Sequence, residues 1–177
     1  RDGARAEVFG NGAMDARTVY PAIDGVKPLQ TVIQDLESKG KRYGPDGQLL
    51  TSPKGAQGEM QVMPATVKDP GFGVAPARDD STDEIARVGR DYAGAMTARY
   101  GSPELVLAAY NAGPGQVDKW IAKYGDPRSG QISVDEWVSK IPFAETQKYV
   151  TEGLKKVGAT GGSAAPVSGP TGMPPTS

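Results

Sequence analysis

The chain has no cysteine and no histidine among its 177 residues. Zinc centres of thiolate or imidazole and histidine-assisted nucleophiles are therefore excluded, which leaves carboxylates, tyrosine and lysine as proton carriers. A hard-cation site of oxygen ligands alone survives that exclusion, but no Asp- and Gly-spaced calcium loop is present and no metal or cofactor is called for. No apolar run approaches the roughly 20 residues of a membrane-spanning helix, and none resembles a signal peptide. A basic block is missing too: 20 Lys and Arg stand against 21 Asp and Glu for a formal charge of -1. A nucleic-acid binder needs a positive stripe that displaces counterions, so that role is set aside, and no partner membrane is expected. The absence of cysteine permits an oxidising compartment without indicating one. The chain begins at Arg1 and not at Met, which we read as a piece of a longer or processed polypeptide.

Hydrophobic residues make up 37% of the chain, enough for one globular domain with a modest core. Residues 1–27 mix Gly, Ala and charged residues without a sustained period and read as an arm or linker. Residues 158–177 are a run of Gly, Ala, Ser, Thr and Pro broken only by Val167 and Met173. Such a segment has too little apolar surface to offset its ordering entropy, and reads as a flexible tail.

Residues 28–157 read as helices. Pro28 suits a first helical turn, and Leu29, Val32, Ile33 and Leu36 follow at i, i+3, i+4 and i+7. A Gly-, Pro- and Lys-rich loop lies between Gly40 and Gly58, with room for a short hairpin around Leu49 and Leu50. Ser81 and Glu84 form a capping box ahead of Ile85, Val88, Tyr92 and Met96, and Gly101 ends that helix. Ser102 and Pro103 lead into Leu105, Val106, Ala109 and Tyr110; Val117, Trp120, Ile121 and Tyr124 keep helical spacing up to Gly125. Ser133 and Glu136 form a second capping box, and a last helix runs from about Phe143 to Val157. The expected fold class is mainly α.

Glu37 lies at the edge of the first apolar stripe, near the helix end. Taken alone, a solvated glutamate is the better reading, although a helix C-terminus disfavours negative charge. Ser52, ahead of Pro53, reads locally as a turn residue. Gln61 can both donate and accept, and Met60 and Met63 read as core filler.

Three short segments change those readings when taken together. Leu36-Glu37-Ser38, then Gly58-Glu59-Met60-Gln61-Val62-Met63-Pro64, then Ala109-Tyr110-Asn111-Ala112-Gly113 occur in this order. They resemble the signature of the lysozyme-like (goose-type, SLT) lytic transglycosylases, which cut peptidoglycan glycan strands, and the resemblance spans about residues 29–157. It implies a helical lysozyme-like fold and Glu37 as sole catalytic acid and base. It also implies Ser52 near the glycan's acetamido group, Gln61 as a sugar contact and, more weakly, Met60 in the cleft wall, with Met63 left in the core. Tyr110 would reach the catalytic carboxyl, Asn111 would shape the cleft and Tyr149 would line it. Glu145 reads as a helix-start charge and not a second acid.

A hydrolytic glycosidase commonly uses two carboxylates. The resemblance supplies one, which implies cleavage of the MurNAc-GlcNAc β-1,4 bond with formation of a 1,6-anhydro sugar. The alternatives are a lysozyme-type hydrolase, with Asp35, Asp46, Asp69 or Asp79 positioning water, and a non-catalytic peptidoglycan-binding or virion module. Two departures mark this chain: the loop from Ser38 to Ser52, carrying Lys39, Lys41, Arg42 and Tyr43, is longer than usual, and Glu59 stands where the common pattern has a hydrophobic residue. Both look like the branch found in large internal virion proteins of short-tailed bacteriophages. That likeness implies a virion protein ejected into the host periplasm, acting on peptidoglycan strands and meeting other internal virion proteins, with the bacterial periplasm as the alternative location.

Overall fold

Residues 28–158 are described by the structure, a computed structural model; the arm at 1–27 and the tail beyond Gly158 lie outside the described residues. Its helices are α1 (Leu29–Ser38), α2 (Pro64–Lys68), α3 (Thr82–Tyr100), α4 (Pro103–Ala112), α5 (Pro114–Tyr124), α6 (Val134–Ser139) and α7 (Ala144–Gly158). The chain is mainly helical, as the apolar spacing predicts. Pro28 precedes α1 and does not open its first turn: its carbonyl accepts from the Thr31 and Val32 amides. Gly158, expected as the first tail residue, is the last residue of α7.

The helix ends follow from local chemistry. Ser81 Oγ accepts from the Glu84 amide at 3.2 Å and Ser133 Oγ from the Glu136 amide at 3.1 Å, each satisfying one of the donors a helix start leaves open. The first capping box is half formed, because the Glu84 carboxylate is taken by Arg78 and Arg87 instead of turning back to Ser81. Gly101 and Gly125, at φ 75° and 113°, end α3 and α5. The spacing gave no sign of α2, a single turn begun by Pro64.

The described residues fall into two compact units. In the first, Ile33–Ala98, the core comprises Ile33, Met60, Val62, Ile85, Val88 and Met96, each at most 4% exposed. Fully burying a side chain of this size stabilises by about 1.5–3 kcal/mol. At Gly89 of α3 a β-carbon would stand 2.4 Å from Met60 Cβ and 2.8 Å from Val62 Cγ2, so only glycine lets the helix meet that loop. The hairpin expected near Leu49 appears as isolated bridges, Tyr43 with Leu49, Thr51 with Gln57 and Gln57 with Val62, and no longer strand forms among the described residues.

The second unit holds residues 28–32 and 99–158. Leu105 through Ala109 of α4 are wholly buried, the pattern of a helix surrounded on all sides. α4 packs on α5 and α7, and α6 on α7. Trp120 stands edge-on to both Trp137 and Phe143, with ring centroids 6.2 and 5.4 Å apart, and Tyr100 donates to Asp118 at 2.7 Å.

Candidate active site

α1 ends by placing Glu37, half buried, on the wall of a cavity of about 710 Å³ in the first unit. Leu36, Ser38, Lys39, Lys41, Tyr43 and Leu50 are among its other walls. Among the described residues that line it, Glu37 is the only carboxylate. Ser38 fixes the helix end. Its Oγ lies 2.7 Å from the Glu59 carbonyl and 3.1 Å from the Gln34 carbonyl, and accepts from the Gly40 amide at 3.1 Å. The chain then turns sharply: Lys39 has φ 55°, Gly40 φ 81°, and the Lys41 amide donates to the Ser38 carbonyl.

The two departures from the common pattern are one structural feature. Arg42 of the long loop grips Glu59 with both prongs, Nε to Oε1 at 2.8 Å and Nη2 to Oε2 at 2.9 Å. Its Nη1 also donates to Asp83 at 2.6 Å. The guanidinium hydrogen bonds hold the Glu59 carboxyl below its ordinary range against the opposing effect of burial. A hydrophobic residue at 59 would leave the loop unfastened, and an unpaired glutamate there would be costly. The sequence reading noticed both residues but not their pairing.

Two sugar contacts expected from the resemblance have structural duties. Ser52 Oγ accepts from the Ala56 amide at 3.0 Å, closing a turn that the Ser52 amide and carbonyl also join. Gln61, at φ 49°, donates through Nε2 to the carbonyls of Gly58 at 2.8 Å and Leu50 at 3.3 Å, which leaves Oε1 as the atom available to a sugar hydroxyl. Neither methionine takes its expected place. Met60, expected on the cleft wall, is wholly buried against the α3 face that Gly89 opens, whereas Met63, expected in the core, is 43% exposed ahead of α2. The i-to-i+3 offset across a tight loop reverses which one faces inward.

Tyr110, Asn111 and Tyr149 belong to the second unit. Tyr110 is half buried in the last turn of α4. Asn111 Oδ1 accepts from Thr146 Oγ1 at 2.7 Å, a bond that ties α4 to α7. Tyr149 is 9% exposed on α7, more buried than a residue expected to line a cleft. Among the described residues no cluster of acidic side chains is arranged to hold a metal. Of the hydrolase candidates, Asp46 accepts from the Gln48 amide and Asp79 from the Ser81 amide, and none of Asp35, Asp46, Asp69 and Asp79 lines the Glu37 cavity.

Comparison with known proteins agrees with this arrangement. The family model described as the transglycosylase SLT domain matches residues 27–132. The chain belongs to the transglycosylase SLT domain family. It is similar to the soluble lytic murein transglycosylases of Escherichia coli K12, 34% identical over 109 residues, and of Salmonella typhimurium, 32% over 114 residues. Those matches cover 57% of this chain and 16% of each relative, so the chain spans about a sixth of their length. Among solved structures, an inactive glutamate-to-glutamine mutant of the lytic transglycosylase Slt from Pseudomonas aeruginosa superposes with a TM-score of 0.62 at 28% identity. The 70-kDa soluble lytic transglycosylase of Escherichia coli gives 0.60 at 25%, and the complex of that enzyme with bulgecin A gives 0.62 at 26%. Each match covers 81% of this chain and 22% of the other. The fold of this SLT domain is therefore the lysozyme-like fold of those enzymes. What sequence reasoning missed in it is the support behind Glu37: the Ser38 staple, the Arg42–Glu59 clamp and the Gly89 contact. Of these, Ser38 stands within the Leu36-Glu37-Ser38 segment and the long loop and Glu59 stand out as departures, while the Gly89 contact left no signal in the sequence.

Proposed function

We propose that this SLT domain is a peptidoglycan lytic transglycosylase in which Glu37 serves as both acid and base. The observation that carries the proposal is that Glu37, at the end of α1, is the single carboxylate among the described residues lining this cavity. Glu37 gives its proton to the glycosidic oxygen as the MurNAc-GlcNAc bond breaks, and the acetamido oxygen of the muramic sugar stabilises the positive charge at C1. The Glu37 carboxylate then takes the proton of the C6 hydroxyl as O6 closes on C1, giving a 1,6-anhydro product and restoring the acid. A hydrolase would need a second carboxylate across from Glu37, and none of Asp35, Asp46, Asp69 and Asp79 lines this cavity. A module that only bound glycan would have no use for an acid so supported. Support from relatives is of the same kind: the similar proteins are named as lytic murein transglycosylases, and the Pseudomonas structure is an inactive glutamate-to-glutamine mutant.

Mass spectrometry of digested peptidoglycan tests the reading. Products ending in anhydro-muramic acid, lighter by one water than lysozyme products, are expected; products that all accept borohydride at a reducing end would make the protein a hydrolase.

The setting we propose is a virion. The parent polypeptide enters the periplasm with the genome, alongside other internal virion proteins, and this domain opens the wall. The long loop and Glu59, joined by Arg42, support that placement. Peptides of this chain should be found by proteomics in purified phage particles, and their absence there would return it to the bacterial periplasm.

A further inference from the structure

The loop after Glu37 divides its residues between two surroundings. Lys41 and Tyr43 line the cavity, while Arg42 between them turns away to Glu59 and Asp83. The chain bends at Arg42, just before Tyr43 bridges to Leu49. The Arg42 clamp anchors the loop that carries both Lys41 and Tyr43. Lys39 joins the same wall from the other side of the turn.

Lys39 adopts φ 55° directly after the helix, a conformation that glycine takes freely and a lysine takes at some strain. Gly40 beside it shows that glycine was available to this turn. Both lysines are exposed, and among the described residues neither enters an ion pair. Two ammonium groups on this wall thus stand without a carboxylate partner among the described residues. Anions brought by the substrate would offset them. Tyr43, 50% exposed, adds an aromatic face to the same wall.

We propose that Lys39 and Lys41 are specificity residues that bind carboxylates borne on the lactyl-peptide side chains of the muramic sugars, so that the enzyme prefers anionic, substituted glycan to neutral glycan. This rests on the transglycosylase reading of Glu37. The ammonium groups recognise the anion as point charges, and the turn holds them beside the bond to be cut.

The experiment compares kcat/KM on three forms of one glycan: strands with stem peptides, strands stripped by an amidase so that each muramic sugar keeps a lactyl carboxylate, and stripped strands whose carboxylates have been methylamidated. The wild type should favour the first over the neutral third by roughly tenfold, a preference that shrinks in molar salt, as expected for a pair of exposed charges. In the Lys39→Gly/Lys41→Ala double variant that ratio should fall towards one, and Lys39→Arg/Lys41→Arg should keep most of it. Circular dichroism checks the fold; glycine suits the backbone at position 39, so a purely structural role would leave the ratio unmoved. Intermediate turnover on stripped strands would assign part of the recognition to the lactyl carboxylate, and turnover equal to that of the neutral form would assign it to the peptide. A wild type without preference, or a double variant that keeps it, overturns the proposal. Failure to form anhydro product from any of the three overturns the transglycosylase reading instead.

Discussion

Replacing Arg42 by alanine should destabilise the domain by about 2–3 kcal/mol. The Glu59 side chain is 11% exposed and its two oxygens are both held by Arg42, whose own side chain is 29% exposed. Breaking a fully buried pair by removing one partner costs about 3–5 kcal/mol; the partial exposure of Arg42 lets water reach the stranded carboxylate and lowers the figure. The contact with Asp83, 84% exposed, adds no more than about 0.2–1 kcal/mol. Replacing both partners, Arg42→Met with Glu59→Leu, should come close to wild type, because the loss lies in the uncompensated charge and not in the missing bond. Urea denaturation followed by circular dichroism measures each corner of the cycle. The pH dependence has a definite sign. Arg42 lowers the folded-state pKa of Glu59, so the clamp's contribution is complete above the unfolded glutamate value of about 4.3 and disappears as pH falls through the folded value. Arg42→Ala should lack that acid-side loss. Turnover should fall as well, since Ser38, next to Glu37, is stapled to the Glu59 backbone. An Arg42→Ala protein that unfolds within about 0.5 kcal/mol of wild type and keeps its acid profile would refute the clamp.

Glu37→Gln should lower turnover by about 10⁴-fold or more with the fold intact by circular dichroism, because general acid-base assistance alone is worth about 10²–10⁴ and no other carboxylate among the described residues lines the cavity; near-normal release of anhydro-muropeptides would sink the mechanism. Gly89→Ala should destabilise by about 1–3 kcal/mol or more, since its new methyl would stand 2.4 Å from Met60 Cβ, and an unchanged urea midpoint would contradict the packing of α3 on that loop. Gln61→Ala should both lower the urea midpoint, from the lost bonds to Gly58 and Leu50, and weaken binding of chitooligosaccharides; binding at wild-type strength would confine Gln61 to its structural role. Glu104, 2% exposed on α4, has its carboxyl pushed up by burial, so its penalty grows as pH rises through the folded value, and Glu104→Gln should gain stability over wild type at pH 8 but not at pH 4; equal gains at both would show that charge is not the cause.

The helices were legible because they are amphipathic and punctuated. Leu29, Val32, Ile33 and Leu36 keep the helical period, and Ser81, Gly101, Gly125 and Ser133 mark ends that the backbone respects. α2 was not legible: one turn following Pro64 contains too few residues for a period to show. The same limit applies to the segment from Tyr43 to Val62. Its bridges pair residues six and five apart, so what holds it is turns and side-chain bonds such as those of Ser52 and Gln61, not an alternation of apolar residues.

The place of Glu37 at a helix end on a cavity wall was legible for a different reason, since Leu36-Glu37-Ser38 follows directly on an apolar helical stripe. Around it, a residue's type left its duty open. Ser52 and Gln61 were weighed as turn residues or sugar contacts, and their bonds to Ala56, Gly58 and Leu50 give them the first role without removing the second. A loop that must present carbonyls, hydroxyls and amides to a sugar while having few backbone partners of its own satisfies those groups internally until substrate arrives. Met60 and Met63 show the converse. Thioethers have no directional chemistry to betray their place, and a shift of three residues across a turn with Gln61 at positive φ sends one into the core and the other into solvent. For Ser52 and Gln61 the structural bonds are shown and the proposed glycan contacts are separate from them, so the test that distinguishes the two reads stability and glycan affinity on the same variant.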